Sequence, residues 1–220
     1  MNRKAVLMRL ARHILSLRID HPIRVAIDGV DTAGKTTLAD ELGLLIRTQG
    51  RDVIRASIDG FHNPSAIRYM AGETPEGYFN DSFNYKELIS TLLVPFGPNG
   101  RRKYVPAIFD YKTDRPRLVE ERVADTDSIL LFDGVFLLRK ELSEYWDFTI
   151  FMEISFSTVL ERAKQRDKVL FGTDEKVTRK YKERYIPGQE LYLREEDPKN
   201  RAMVIIENED PENPILCYNM

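Results

Sequence analysis

The chain holds 220 residues, carries a formal net charge of −2 and contains one cysteine, Cys217. That length suits a single domain with a full core, and the near-neutral charge, with no long basic stretch, leaves no footprint for nucleic acid. A lone cysteine excludes an internal disulfide and makes a cytoplasmic home the simple expectation, while no apolar run approaches the ~20 residues of a membrane span.

Residues 1–20 predict an amphipathic helix, with Leu7, Leu10, Ile14 and Leu17 on one face and Arg3, Lys4, Arg9, Arg12 and Arg18 as its basic residues. An organelle transit peptide has a similar look. This segment is poor in serine and runs straight into a strand, so a helix packed beside that strand is the expectation. Its apolar face would also serve as a contact in a homo-oligomer.

Ile23–Asp28 reads as a buried strand. It delivers Gly29-Val30-Asp31-Thr32-Ala33-Gly34-Lys35-Thr36-Thr37, a match to the phosphate-loop pattern G-x-x-x-x-G-K-[ST]. Apolar residues at helical spacing follow from Thr37 to Ile46. Strand, glycine loop and helix are the context this pattern needs. Gly29 and Gly34 let the backbone curl so that its N–H groups face a polyphosphate, and the helix points its positive end at the same place. Lys35 would reach the β- and γ-phosphates of ATP, and the Thr36 hydroxyl would ligate Mg²⁺.

Val53–Ile58 predicts a second strand ending at Asp59-Gly60-Phe61-His62. Strand, helix, strand implies a right-handed crossover and a parallel sheet, whose ligands sit at the carboxyl ends of the strands. Asp59 should therefore emerge beside the phosphate loop. Residues 63–84 read as a long irregular loop, rich in Arg68, Tyr69, Tyr78, Phe79, Asp81 and Phe83; a loop of that length is usually functional. Tyr85–Leu93 predicts a short helix. Residues 101–111 and 117–123 predict two strands of a hairpin projecting from the main sheet, so that about 101–124 forms a small subdomain.

Ser128–Asp133 predicts a buried strand that delivers a carboxylate. By itself Asp133 could be a turn aspartate; beside a phosphate loop it reads as a group that holds magnesium, directly or through water. Phe148–Ile154 is a further strand. A helix from about Ser157 to Arg166 places Arg162 and Arg166 on one face, either as phosphate-neutralising cations or as a solvated surface. Residues 167–174 predict a mobile loop, 175–193 a helix interrupted at Pro187-Gly188, and 203–207 the last strand before a polar tail. The expected fold is a single α/β P-loop NTPase domain: a mostly parallel sheet with helices on both faces, the hairpin, and a lid over about 162–190.

The phosphate loop, an acid after a buried strand, an arginine-bearing helix and Asp59 together form a phosphoryl-transfer constellation. Asp59 is the candidate for the group that deprotonates an acceptor hydroxyl. Four stretches carry a resemblance to a known family: Gly29–Thr37, Asp59–His62, Phe109-Asp110-Tyr111 and Phe132–Phe136. The chain resembles the uridine kinase and phosphoribulokinase group of P-loop kinases, most closely the uridine kinase branch, from about Ile23 to Glu207. That resemblance implies phosphorylation of the 5′-hydroxyl of a pyrimidine nucleoside, uridine or cytidine, with ATP and Mg²⁺. It implies that Asp59 is the base, that Asp133 is the magnesium-side acid, and that Arg162 and Arg166 belong to a closing lid. It also implies that Phe61, His62 and the segment with Asp110, Tyr111 and Asp114 border the acceptor pocket. His62 stands where the family has tyrosine, and Asp114 stands where a base-contacting histidine is usual. The family's acidic ribose contact falls near Tyr78 or Asp81. A kinase for another alcohol (pantothenate, a sugar phosphate or nicotinamide riboside) and a nucleotide-dependent switch are the rival readings. Against a GTPase switch, no Asn-Lys-x-Asp stretch is present and Asp133 continues as Gly134-Val135-Phe136.

Overall fold

The computed structural model describes residues 1–219. Helix α1 (Arg3–Ser16) is capped by Asn2, whose side-chain oxygen accepts the Ala5 N–H at 2.9 Å. Its buried stripe is Val6, Leu10, Ala11 and Ile14, packed on α2 (Lys35–Thr48) and the sheet. Leu7 and Leu17, expected on that stripe, are only half-buried, because the contact face is rotated by about one position. The helix thus belongs to the core of its own chain.

Strand β1 (Ile23–Gly29) is buried at every residue, as a strand covered on both faces must be. Its alternating side chains feed two cores: Val25 and Ile27 join one with α1 and α2, and Ala26 joins an aromatic-rich one on the other face. After α2 comes β2 (Val53–Ser57). Residues 63–84 are not an irregular loop. They hold α3 (Ser65–Arg68) and α4 (Pro75–Asp81), the latter capped by Thr74, and lead into α5 (Tyr85–Leu88), which continues as a wider turn over Ile89–Leu93. The expected hairpin is reduced to two-residue pairings. β3 (Lys103–Tyr104) pairs with β6 (Arg122–Val123), and β4 (Phe109–Asp110) pairs with β5 (Arg115–Pro116).

β7 (Ile129–Asp133) and β8 (Phe148–Glu153) complete the sheet centre. α6 (Phe156–Phe171) runs through residues 167–171, which were expected to be loop, and breaks only at Gly172. α7 (Asp174–Lys180), a π-turn at Tyr181–Tyr185 and α8 (Ile186–Glu196) form one nearly continuous helical arm. Pro187 does not interrupt it, because the wide turn places the proline in the first turn of α8, where an N–H is not required. α9 (Pro198–Arg201) precedes β9 (Val204–Glu207), and the tail adds β10 (Ile215–Tyr218), antiparallel to β9.

The sheet has six strands in the order β10-β9-β8-β1-β7-β2, parallel except for β10. Helices cover both faces, giving the α/β P-loop architecture. Register aligns the functional ends: Ile27 of β1, Asp133 of β7 and Ser57 of β2 lie side by side. Two residues beyond Ile27 stands Gly29, and two beyond Ser57 stands Asp59. Among the described residues no helix is long and apolar enough to cross a membrane.

If α1 is part of the folded domain, Leu10→Ala, at a site with no solvent exposure, should lower the free energy of unfolding by about 3 kcal/mol in a urea titration. A loss below about 0.5 kcal/mol, as for a surface site, would mean that the helix is detachable.

Candidate active site

The phosphate loop begins where β1 meets a steric limit. Gly29 sits at φ 145°, and a side chain there would meet the Met152 carbonyl oxygen at 2.2 Å. Gly34, at φ 93°, is the N-cap of α2 and offers no side-chain cap, and no acid lies in the helix's first turn. The leading N–H groups of α2 are therefore available to an anion. The buried Lys35 ammonium donates to the Gly29 and Val30 carbonyls at 2.9 and 2.7 Å. Burial lowers its pKa, opposed by the charges of Asp31 and Asp28.

Thr36 and Asp133, the two residues expected at magnesium, are in direct contact. The Thr36 hydroxyl donates to Asp133 at 2.6 Å, and Arg55 donates to the second carboxylate oxygen at 2.9 Å. Among the described residues no cluster of three or more His, Cys, Asp or Glu could cage a metal by itself. A hydroxyl beside a single buried carboxylate is the sparse, hard-oxygen donor set that suits Mg²⁺ shared with phosphate oxygens.

Other elements hold the loop in shape. Gln189 on α8 accepts the Asp31 N–H at 2.6 Å and donates to its carboxylate at 3.1 Å. Tyr78, a candidate acceptor contact, is buried and donates to the same carboxylate at 3.2 Å. The Thr32 hydroxyl donates to the Val159 carbonyl, and Asn208 donates to the Ala33 carbonyl at 2.8 Å. Arg162 is committed to three backbone carbonyls, those of Thr32, Asn208 and Glu209, at 3.3, 2.9 and 3.0 Å. In this geometry it clamps the loop to the end of β9. Arg166 differs: Asp167 and the Tyr181 hydroxyl orient its guanidinium, and its charge acts on Lys35 and Asp59.

Asp59 stands on a 3₁₀ turn, Ile58–Phe61, at the floor of an open cleft of about 930 Å³. Gly60, Tyr111 and Arg115 share that cleft. The carboxylate opens toward solvent, yet protein crowds it on its other sides. That crowding, then the charges of Asp133 and Asp31, raise its pKa to about 6, against the pull of Lys35 and Arg166. His62 donates from Nδ1 to the Asp59 carbonyl at 3.0 Å, and its ring packs on Phe83 and Tyr111. Burial depresses its pKa to about 4, helped by the nearby charges of Arg68 and Arg184, so the ring is neutral near pH 7.

The remaining acceptor-side candidates scatter. Phe61 is fully buried beneath the cleft, packed on Phe132. Asp110 and Tyr111 line the cleft, and bonds from Lys112 and Thr113 hold the Asp110 carboxyl below its usual range. Asp114 accepts from the Ser65 N–H, the Ser65 hydroxyl and Arg68 at 2.9, 2.5 and 2.9 Å, so it is spent on anchoring α3. Asp81 ends α4 and receives Asn63 on its carbonyl.

The sequence reading missed Asp28. It is fully buried and accepts from the Gly29, Leu137 and Leu138 N–H groups and from the Tyr192 hydroxyl. Burial lifts its pKa to about 6. An acid closing an otherwise apolar strand was the available signal. Gln189, Asn208 and Arg184 gave none, because their partners lie far away in the chain.

No family model and no curated protein matches the sequence. Solved structures do match. A possible uridine kinase from Bacillus stearothermophilus has a TM-score of 0.73 at 25% identity, covering 92% of this chain and 97% of its own. A protein from a Silicibacter species, described as a "putative fructose transport system kinase", has a TM-score of 0.71 at 20% identity, covering 87% and 94%. A D-glycerate 3-kinase from Cryptococcus neoformans has a TM-score of 0.55 at 17% identity, covering 86% of each chain. The P-loop kinase fold is common to all three.

Because Asp59 titrates near 6 in the folded chain and about 4 unfolded, stability falls as pH rises between those values. It stays lower above them, where the folded state must carry the disfavoured charge. Asp59→Asn removes that charge. It should raise the melting temperature near pH 8 and leave it unchanged near pH 4; an equal shift at both would contradict this electrostatic account.

Proposed function

We propose that this chain is an ATP- and Mg²⁺-dependent kinase that phosphorylates a hydroxyl group on a small molecule. One observation carries the reading. A carboxylate with a pKa of about 6, Asp59, opens into a cleft on the same sheet edge as Lys35 and the Thr36–Asp133 pair. A switch protein has no use for a base aimed at a second pocket.

The leading N–H groups of α2, the loop N–H groups without a partner in the chain and the Lys35 ammonium would bind the ATP phosphates. Thr36 and Asp133 are the residues that would hold Mg²⁺, which when bound would neutralise phosphate charge. Asp59 accepts the proton of the acceptor hydroxyl as its oxygen bonds to the γ-phosphorus. The bond from that phosphorus to the bridging oxygen breaks, and ADP leaves with the electron pair. A base near 6 is ionised at neutral pH yet still holds a proton well, which suits this step. Arg166, whose charge acts on Lys35 and Asp59, would offset charge on the transferring group. The arm from α6 through α8 is the segment we expect to close over the reactants.

The matched structures support the reading, since each is described as a kinase and their named compounds are small molecules. Uridine and cytidine are the acceptors implied by the family resemblance, and the relative at 25% identity makes them the first nucleosides to test. Asp114 is committed to α3 and Tyr78 to Asp31, which occupies two of the contacts expected at the nucleoside end of that reading.

Product mass spectrometry with ATP, Mg²⁺ and a panel of hydroxyl compounds tests the proposal. Asp59→Asn should cut kcat by about 10³-fold while leaving ATP affinity within about twofold. In the wild type, log kcat/KM should fall with unit slope below the free-chain Asp59 pKa of about 6, because the protonated base cannot accept. Full activity in the variant, or a flat profile through pH 6, would contradict the role of Asp59.

A further inference from the structure

Arg184 sits in the π-turn between α7 and α8 and is only 3% exposed. Buried guanidinium groups are almost always paired with a carboxylate. Among the described residues, no acid lies within ion-pair distance of this one. Its single hydrogen bond, to the Arg68 carbonyl, is long at 3.4 Å, and its Nε has no partner. The nearby acid Glu73 is already bound by Lys180. Three tyrosine rings surround the group, with Tyr69 at 4.4 Å, Tyr185 at 5.7 Å and Tyr78 at 5.8 Å.

Arg68 also lies against the Tyr69 ring, at 5.4 Å, and its buried Nε also lacks a partner. Its one acid, Asp114, is shared with Ser65. Both arginines are close enough to His62 for their charges to act on it, and His62 is bonded to the backbone of Asp59. This cluster thus holds two guanidiniums, one carboxylate and two idle buried donors. The surplus is one positive charge.

We infer that Arg68 and Arg184 bind an anionic group of the phosphate acceptor, so that the acceptor is an alcohol carrying a carboxylate or a phosphate ester rather than a neutral nucleoside. The inference rests on the kinase reading above and names its substrate class. A planar fork presenting an unused N–H edge is the group that pairs with carboxylate or phosphate oxygens. The tyrosine cage would keep that fork rigid and the pair partly desolvated.

The test uses the full chain loaded with ADP and Mg²⁺, so that the phosphate loop cannot itself capture the probe. Calorimetry with D-glycerate and pantothenate probes the carboxylate arm, ribose 5-phosphate and fructose 6-phosphate probe the phosphate arm, and uridine and cytidine are the neutral controls. Turnover of the same compounds is followed with ATP. At least one anion should bind and be phosphorylated, with a KM about tenfold or more below that of either nucleoside. Arg184→Met should raise that KM by about 20-fold, as expected for losing a charged hydrogen bond, and move the KM for ATP less than about twofold. Arg184→Lys should restore part of the loss.

Arg184→Met should melt no earlier than the wild type, because an unpaired buried charge is a burden on the free protein. A preference for uridine or cytidine, an unchanged KM in Arg184→Met, or no anion binding by the wild type would overturn the inference and leave the kinase reading standing. Arg184-dependent anion binding without phosphoryl transfer to any compound would keep the site and remove the kinase reading.

Discussion

Curling the backbone from Gly29 to Lys35 so that its amides face inward turns its carbonyls toward the protein, and each needs a donor. Much of the fold supplies those donors. Lys35 reaches back to the Gly29 and Val30 carbonyls, Arg162 on α6 takes that of Thr32, and Asn208 after β9 takes that of Ala33. Gln189 on α8 accepts the Asp31 amide. Three elements far apart in the chain thus converge on one short loop. The sheet order follows the same need, since β1 lies between β7, which carries Asp133, and β8, whose Met152 carbonyl admits only a glycine at position 29.

Charge organises what lies outside the loop. Asp31, Asp59 and Asp133 face Lys35 and Arg166 across a small volume, and the mutual repulsion of the acids helps hold Asp59 near 6. A second group of charges, Arg68, Arg184 and Asp114, lies on the far side of His62. The histidine itself is kept neutral between them, so it separates the two groups without adding to either.

Features that depend on local backbone chemistry were legible in the sequence. The glycine spacing announced the loop, continuous apolar runs announced parallel strands, and the acid ending Ile129–Asp133 announced a partner for Thr36. Features that depend on distant partners were not. Helical spacing placed Arg162 and Arg166 on one face but could not say that one would be consumed by carbonyls and the other held by Asp167. Tyr78 and Asp114 stood at positions that suggested substrate contact, yet Asp31 and Ser65 claim them. α3 and α4 span four and seven residues, too short for periodicity to emerge among loop-like residues. β10 is a four-residue apolar edge strand set in a polar, proline-bearing tail, and its pairing with β9 defines it.

The central claim is that the phosphate loop and Asp59 serve one transfer between two bound molecules. Release of ADP from ATP, followed with and without a hydroxyl acceptor in the cleft, tests it most directly. Release from ATP alone should be slow and should rise at least about 10³-fold when the acceptor is bound, as proximity and general-base catalysis together allow. ATP hydrolysis that no acceptor accelerates, at a rate unaffected by Asp59→Asn, would contradict it.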